Sequence, residues 1–269
     1  MLNVGKPISW KLYYITAIIS VIVCIAAYFY LSYNQHQFNP KDTTIPNFQQ
    51  LLVGLHKIAT PDSSGDYWLY EDIKATFSRL FLGLGLGIIF SLTIGLLMGC
   101  FEFVEAIFIY PVSFFARIPP TAMMAVYFVL FGTGTNMFIA IISLGVSPIL
   151  IQTIFQSVKK DIEPYMLDKA YTLGASNFEI LFHVVFKQIL PRIIEAIRLQ
   201  IGPAMVALIA AEMLVSDVGF GYRLRIQSRI LNMNVVYLYL AILGIIGFGM
   251  DWIMINFRKR LCPWFEGQR

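Results

Sequence analysis

The chain has 269 residues, 58% of them hydrophobic and 13% charged, with a mean hydropathy of +0.69, which excludes an ordinary soluble domain and implies a polytopic membrane protein. Twenty Lys and Arg against sixteen Asp and Glu give a net charge of +4; nothing suggests nucleic-acid binding, and the charge matters through its distribution over the loops. Cys24, Cys100 and Cys262 fall in or beside separate apolar segments, and His36, His56 and His183 are equally scattered, so neither a disulfide framework nor a metal site is indicated.

Lys6 and Lys11 precede an apolar run that is longer than a signal core and lacks a small-x-small cleavage site, so Tyr13–Tyr33 reads as a retained first span. A bilayer core of ~30 Å needs ~20 apolar residues, and the remaining runs are measured against that length. Asn34–Tyr70, with Pro40, Pro46 and Pro61, reads as an external loop holding one short helix near Phe48–Ile58, with Trp68 and Tyr70 at the interface. The second span is expected at Phe81–Phe101, where Gly83, Gly85, Gly87, Gly95 and Gly99 offer smooth faces for close packing. A nucleotide-binding reading of those glycines fails because no strand precedes them and no lysine follows. Residues 1–70 therefore form an N-terminal unit ahead of a core over 71–269.

No charged residue occurs from Ile118 to Val158, which is too long for one span and about right for two, with the break at Gly132–Asn136. Pro111, Pro119 and Pro120 interrupt the start of the third span and free backbone carbonyls that must face protein or a water-filled path. Arg117 beside them is either a snorkelling interface residue or a charge lining that path.

Residues 159–191 are a polar interruption. Pro164 suits a first helical position, with Asp161 and Glu163 adding negative charge at the positive helix end, and the helix is expected to run through Leu173 to Gly174. Ser176 to Glu179 form an S-x-x-E capping box that starts a second helix, carrying Phe178, Leu181, Phe182, Val185 and Ile189, which should stop or kink at Pro191. Such a segment is either a docking surface for a cytoplasmic partner or a solvated loop.

The fifth span is expected at Ile193–Ser216, with Arg198 low and Glu212 high. A carboxylate at the depth of Glu212 must be paired or wetted, through an ion pair, a subunit interface or a pore. Asp217–Asn234 reads as an external loop, and Val235–Phe257 as the sixth span, closed by Arg258, Lys259 and Arg260 with Asp251 as a partner for nearby cytoplasmic charges. Placing both termini inside keeps the larger basic clusters in the cytoplasm, at the cost of leaving Arg223, Arg225 and Arg229 outside.

The polar interruption resembles the EAA loop of ABC importer permeases of the binding-protein-dependent type, with Asp168 for the glutamate, Ala170 for the second alanine, Gly174 for the glycine and Val184 for the isoleucine. Lys169 replaces the first alanine, and Phe186 and Lys187 fill the Leu-Pro slot, with Leu190 and Pro191 following. The runs IPPTAMMAVYFVLFGTG, KAYTLGAS and AAEMLVSDVGFGYRL are similar to the nitrate, sulfonate and taurine branch of those permeases. The resemblance implies an all-α type I importer (MetI-like) fold with six transmembrane helices in a bacterial inner membrane. It also implies a second permease copy, two separate ATPase subunits that carry ATP and Mg, and an extracytoplasmic binding protein. The coupling residues would be Glu163, Pro164, Asp168, Lys169, Ala170, Leu173, Gly174 and Ala175, and the candidates for the translocation path Arg117, Pro119, Pro120 and Glu212. The chain has no P-loop and is expected to bind no cofactor and to be no enzyme. The competing class is an ATP-independent channel or ion-coupled carrier.

Overall fold

A computed structural model describes residues 9–40, 42–61, 65 and 67–268, with side chains through 265; Lys6 lies outside them. Among the described residues all regular structure is helical. Among them five helices are long and apolar enough to cross a membrane, or six with a bent pair taken as one span.

Helix α1 (Trp10–Phe38) is exposed along almost its whole length, as suits a span whose neighbours are lipid tails. Its far end is held by Tyr28 and Ser32, whose hydroxyls donate to the carbonyl of Pro46. Helix α2 (Phe48–Ala59) starts on a capping box in which Asn47 Oδ1 accepts from the Gln50 amide and Gln50 Oε1 accepts from the Asn47 amide.

Helix α3 (Trp68–Cys100) begins 13 residues before the expected span, since 81 − 68 = 13. The charges of Asp72 and Arg79, which argue for a loop when apolar length is the criterion, are buried inside the protein and cost no contact with lipid. Helix α6 (Thr135–Asp161) runs beside α3 in the same direction. A Cβ on Gly83 would lie 2.6 Å from Ile142, on Gly87 3.2 Å from the Ser143 Cα, on Gly95 2.9 Å from Ile154 and on Gly99 2.5 Å from Val158. Sixteen residues of α3 therefore match sixteen of α6, and the glycines remove the side chains that would hold the two backbones apart. Gly85 points elsewhere, with nothing within 4 Å of its would-be Cβ.

Between those partners, α4 (Glu102–Phe115) and a 3₁₀ turn at Pro120–Met123 followed by α5 (Met124–Phe131) meet at an angle of 86°. This bent pair is the third span, and the break before the fourth falls at Gly132, whose φ is +72°. The bend lies at Ala116–Pro119, as the prolines lead one to expect, because Pro119 and Pro120 offer no N–H to continue α4.

Helix α7 (Pro164–Thr172) is followed by a single turn α8 (Asn177–Glu179), a π-helical turn over Ile180–Val185, and α9 (Phe186–Val215). These last three form one helical run of 39 residues, Asn177–Val215, so the expected stop at Pro191 and the fresh start at Ile193 are corrected. Pro191 is buried in a stretch where Ile189, Ile193, Ile194 and Ala196 are buried too, so tertiary packing of this part of the helix offsets the lost bond. The segment expected as an external loop, 217–234, also contains a helix, α10 (Phe220–Arg229). Helix α11 (Met233–Leu261) and a short 3₁₀ turn (Pro263–Gln268) complete the chain. The main apolar core lies where α3, α6 and α9 meet, and a smaller one joins α2, α10 and α11 through Ile58, Phe220, Leu224, Val235 and Tyr239.

Candidate coupling surface and translocation path

Three constructions can be built up from residues: a knob at one end of the bundle, a polar lock at the other, and an irregular corner halfway between.

The knob is α7 and its turn. Pro164 is the first helical residue, and the helix closes in a Schellman arrangement: the Gly174 amide donates to the Tyr171 carbonyl at 2.9 Å and the Ala175 amide to the Ala170 carbonyl at 3.1 Å. Gly174 has φ +84°, the left-handed conformation that this arrangement requires and that a Cβ disfavours. Ser176 then caps the next turn, its amide and hydroxyl both donating to Glu179 Oε2 at 2.8 Å, and Tyr171 Oη donates to Asn177 Oδ1 at 2.9 Å across the turn. Leu167, Ala170 and Ala175 pack inward on the main core, while Glu163, Pro164, Asp168, Lys169, Leu173 and Gly174 face outward. Leu173 is 80% and Phe178 76% exposed, an apolar tip on an otherwise polar element. Just beyond lies the π turn; such turns recur at functional positions.

The same end is braced by charges. Arg198 and Arg258 both donate to Glu195, and Arg198 also pairs with Asp251, tying α9 to α11. Lys159 pairs with Glu105 and Arg192 with Asp161, at 2.8 and 2.9 Å.

At the opposite end, Asp72, Thr76 and Arg79 lie on one face of α3 and are buried. Arg79 Nη1 donates to Glu212 Oε1 at 2.8 Å and to the Val218 carbonyl at 2.9 Å, and its guanidinium sits 4.2 Å from the Phe138 ring centre. Thr76 donates to Glu212 and accepts from the Phe220 amide at 3.0 Å. Asp72 accepts from the Gly219 amide at 2.8 Å, from Arg223 Nε at 2.9 Å and from Tyr239 Oη at 2.8 Å. Glu212, expected to need a partner, is fully buried and carries Arg79, Thr76 and the Gly221 amide on its two oxygens. Gly219, at φ +122°, and Gly221 let the chain fold over that carboxylate: a Cβ on the first would lie 2.6 Å from Glu212 Oε1, and on the second 2.3 Å from the Ile209 carbonyl. Asp72, Thr76, Arg79 and Tyr239 carry no motif of their own in the sequence, and Arg223 is expected there only as an external charge, although polar residues at 72, 76 and 79 share a helical face, the one local signal of the lock.

Between the ends lies the corner of α4 and α5. Pro120 packs against Gly145 of α6, where a Cβ would lie 2.7 Å from it. Arg117 and Pro119 are exposed beside it, and among the described residues no carboxylate comes within ion-pair distance of Arg117. The structure thus brings Arg117, Pro119 and Pro120 together and leaves Glu212 apart from them, in the lock.

Residues 87–262 match the model of the family described as binding-protein-dependent transport system inner membrane component. The chain belongs to that family. This permease is 27% identical over 220 residues to the taurine transport system permease protein TauC of Escherichia coli K12, covering 82% of its own length and 80% of that protein. It is 25% identical over 203 residues to the putative aliphatic sulfonates transport permease protein SsuC of Bacillus subtilis 168, covering 74% and 73%. Its fold matches a chain of the inward-facing MetNI methionine ABC transporter at a TM-score of 0.61 and 18% identity, covering 74% of the permease and 99% of that chain. The permease is an all-α, multi-pass inner-membrane transport component of the nitrate, sulfonate and taurine branch, with a MetI-like fold. Helix α1 and α2 precede the matched residues.

Proposed function

We propose that the permease forms the translocation path for a small sulfonate-like or related anionic organic solute, delivered by an extracytoplasmic binding protein. Two copies pair as a homodimer, and two separate ATPase subunits, which hold ATP and Mg, drive them; this chain binds no cofactor of its own. The relatives named for taurine and aliphatic sulfonates support the solute class. Both termini lie in the cytoplasm, because Lys159, Lys160, Lys169, Arg192 and Arg258–Arg260 gather at the end that carries α7.

The observation that carries this reading is the continuity from the knob into the membrane. Helix α7 is locked by its Gly174 turn and capping box onto a 39-residue helical run. Such a run is ~58 Å long at 1.5 Å per residue, more than a bilayer core, so a push on the knob moves a span as a lever. Asp168, Lys169 and Glu163 supply polar contacts to the ATPase and Leu173 an apolar anchor; Ala170 and Ala175 hold the knob against the core. Pro164 sets the start of the knob. Arg117, Pro119 and Pro120 stand beside the path, while Glu212 keeps the far end rigid.

The test is reconstitution in liposomes with the ATPase and the binding protein loaded with taurine. Gly174→Pro removes the amide that bonds Tyr171 and forbids φ +84°. Membrane insertion should be unchanged and taurine-stimulated ATP hydrolysis lost; normal stimulation in that variant would contradict the mechanism.

A further inference from the structure

A cavity of about 490 Å³ lies between α6, α9 and the Pro120 corner. Two breaks in helix geometry and one close approach converge on it. Pro120 ends the bend, Gly145 lets that corner approach α6, and Pro203 of α9 supplies no N–H to the carbonyl of Leu199 four residues earlier. Irregular backbone at membrane depth is stable only against protein or against a wet cavity. Among the described residues its walls are otherwise apolar, with Thr121 and Gln200 the only polar side chains and no charged one.

Gln200 is the anomaly in that wall. Its Oε1 is shielded and has no hydrogen-bond partner, and its side chain makes no bond to any described residue. A shielded amide oxygen without a donor is costly, and native proteins rarely keep one without a use. Among the described residues the other shielded atoms without a partner, His36 Nε2, Arg225 Nε and Arg258 Nε, belong to side chains that are bonded through another atom, whereas the Gln200 side chain makes no bond at all.

Resting on the importer reading above, we propose that Gln200 is a specificity-determining residue of the path, whose carboxamide makes the hydrogen bond to the passing solute at this depth. The site takes a small polar solute by hydrogen bonding and size, without an opposite charge. An amide offers both donor and acceptor, so it serves a sulfonate oxygen or an ammonium hydrogen equally, and a single bond is weak enough to release what it holds. Among the described residues no cation lines the cavity to trap an anion there.

Two measurements on the reconstituted complex test this. In the first, Gln200→Cys is made with Cys24, Cys100 and Cys262 replaced, and its modification by the anionic reagent 2-sulfonatoethyl methanethiosulfonate is compared with that of native Cys24 retained alone. Cys24 is exposed on α1, among lipid-facing side chains. The expected rate at position 200 is at least ~10-fold higher; a rate equal to that of Cys24 overturns the proposal. In the second, Gln200→Leu should lower ATP-driven taurine uptake about tenfold while Gln200→Asn keeps most of it, the size expected for one lost hydrogen bond. Wild-type uptake by Gln200→Leu overturns the proposal, as does loss of the assembled dimer in that variant without labelling at position 200, which would make the amide a subunit contact. If the wild-type complex neither hydrolyses ATP with taurine nor takes it up, while position 200 labels rapidly, the importer reading fails and the wet cavity stands.

Discussion

Single residues set the conformations that the larger parts need. Gly219 adopts φ +122° and ψ 169°, a region open in practice to glycine alone, and a side chain there would press on the Glu212 carboxylate. Gly219→Ala should therefore cost ~2–4 kcal/mol through strain and the disturbed ion pair, seen as a clear fall in the melting temperature of the detergent-solubilised permease. Gly244→Ala, in α11 with nothing within 4 Å of the new methyl, should leave that temperature unchanged or slightly raised. Asp42, in the connection between α1 and α2, accepts from the Gln35 amide group, the Thr44 backbone amide and the Thr44 hydroxyl, which together hold its carboxyl down to about 2 from 3.8. A depressed carboxyl stabilises above its ordinary value and loses that contribution as the pH falls through the depressed one. Hydrogen exchange at the Thr44 amide should stay slow at pH 4 and quicken toward pH 2, and Asp42→Asn should remove the step; quickening already at pH 5 would contradict the bond set. At this scale the sequence was readable where chemistry is local. The Gly174 turn and the Ser176–Glu179 box depend only on residues within a few positions of one another. The partners of Glu212 were not readable, because Arg79 and Thr76 are more than a hundred residues away and nothing in the chain order pairs them.

Elements depend on which faces are smooth. The glycines of α3 were expected to serve packing, and four of the five do so against α6, but their spacing alone does not say which partner they meet or that Gly85 faces away. Gly95→Leu would drive a side chain into Ile154 and the Ile151 carbonyl, whereas the Cβ of Gly85→Leu meets nothing within 4 Å. The first should destabilise by ~1–3 kcal/mol or more and lower the yield of monodisperse protein, and the second should behave as wild type within ~0.5 kcal/mol. Equal behaviour of the two in fluorescence-detected size exclusion after heating would show that the α3–α6 register is wrong. The boundaries that were misplaced share one cause. Length rules treat a charge, a proline or a glycine as the end of a span, and here Arg79, Pro191 and Gly219 each lie within or at the start of a helix because tertiary contacts satisfy what the local rule penalises. The π turn at Ile180–Val185 has no such local signal.

For the molecule as a whole, stiffness is unevenly distributed in a way that suits a lever. One end is fixed by the Asp72, Arg79, Glu212 and Arg223 lock, and the other is braced by Glu195 between Arg198 and Arg258, so α9 is tied to α3 at one end and to α11 at the other. Between them sit the bent third span, Pro203 and the cavity, where helix hydrogen bonding is interrupted. Among the described residues, the long-range hydrogen bonds of helix α1 come from its end, at Tyr28 and Ser32, and most of its surface is exposed. The central claim is that α7 transmits motion from an ATPase to the membrane. The direct measurement is the distance between spin labels at Leu173→Cys on the two copies, in liposomes with the ATPase and binding protein, before and after trapping with ATP and vanadate. The account predicts that the labels, reachable only from the ATPase side, draw together on trapping; labels reachable from the opposite side, or a distance unchanged while hydrolysis drives uptake, would contradict it.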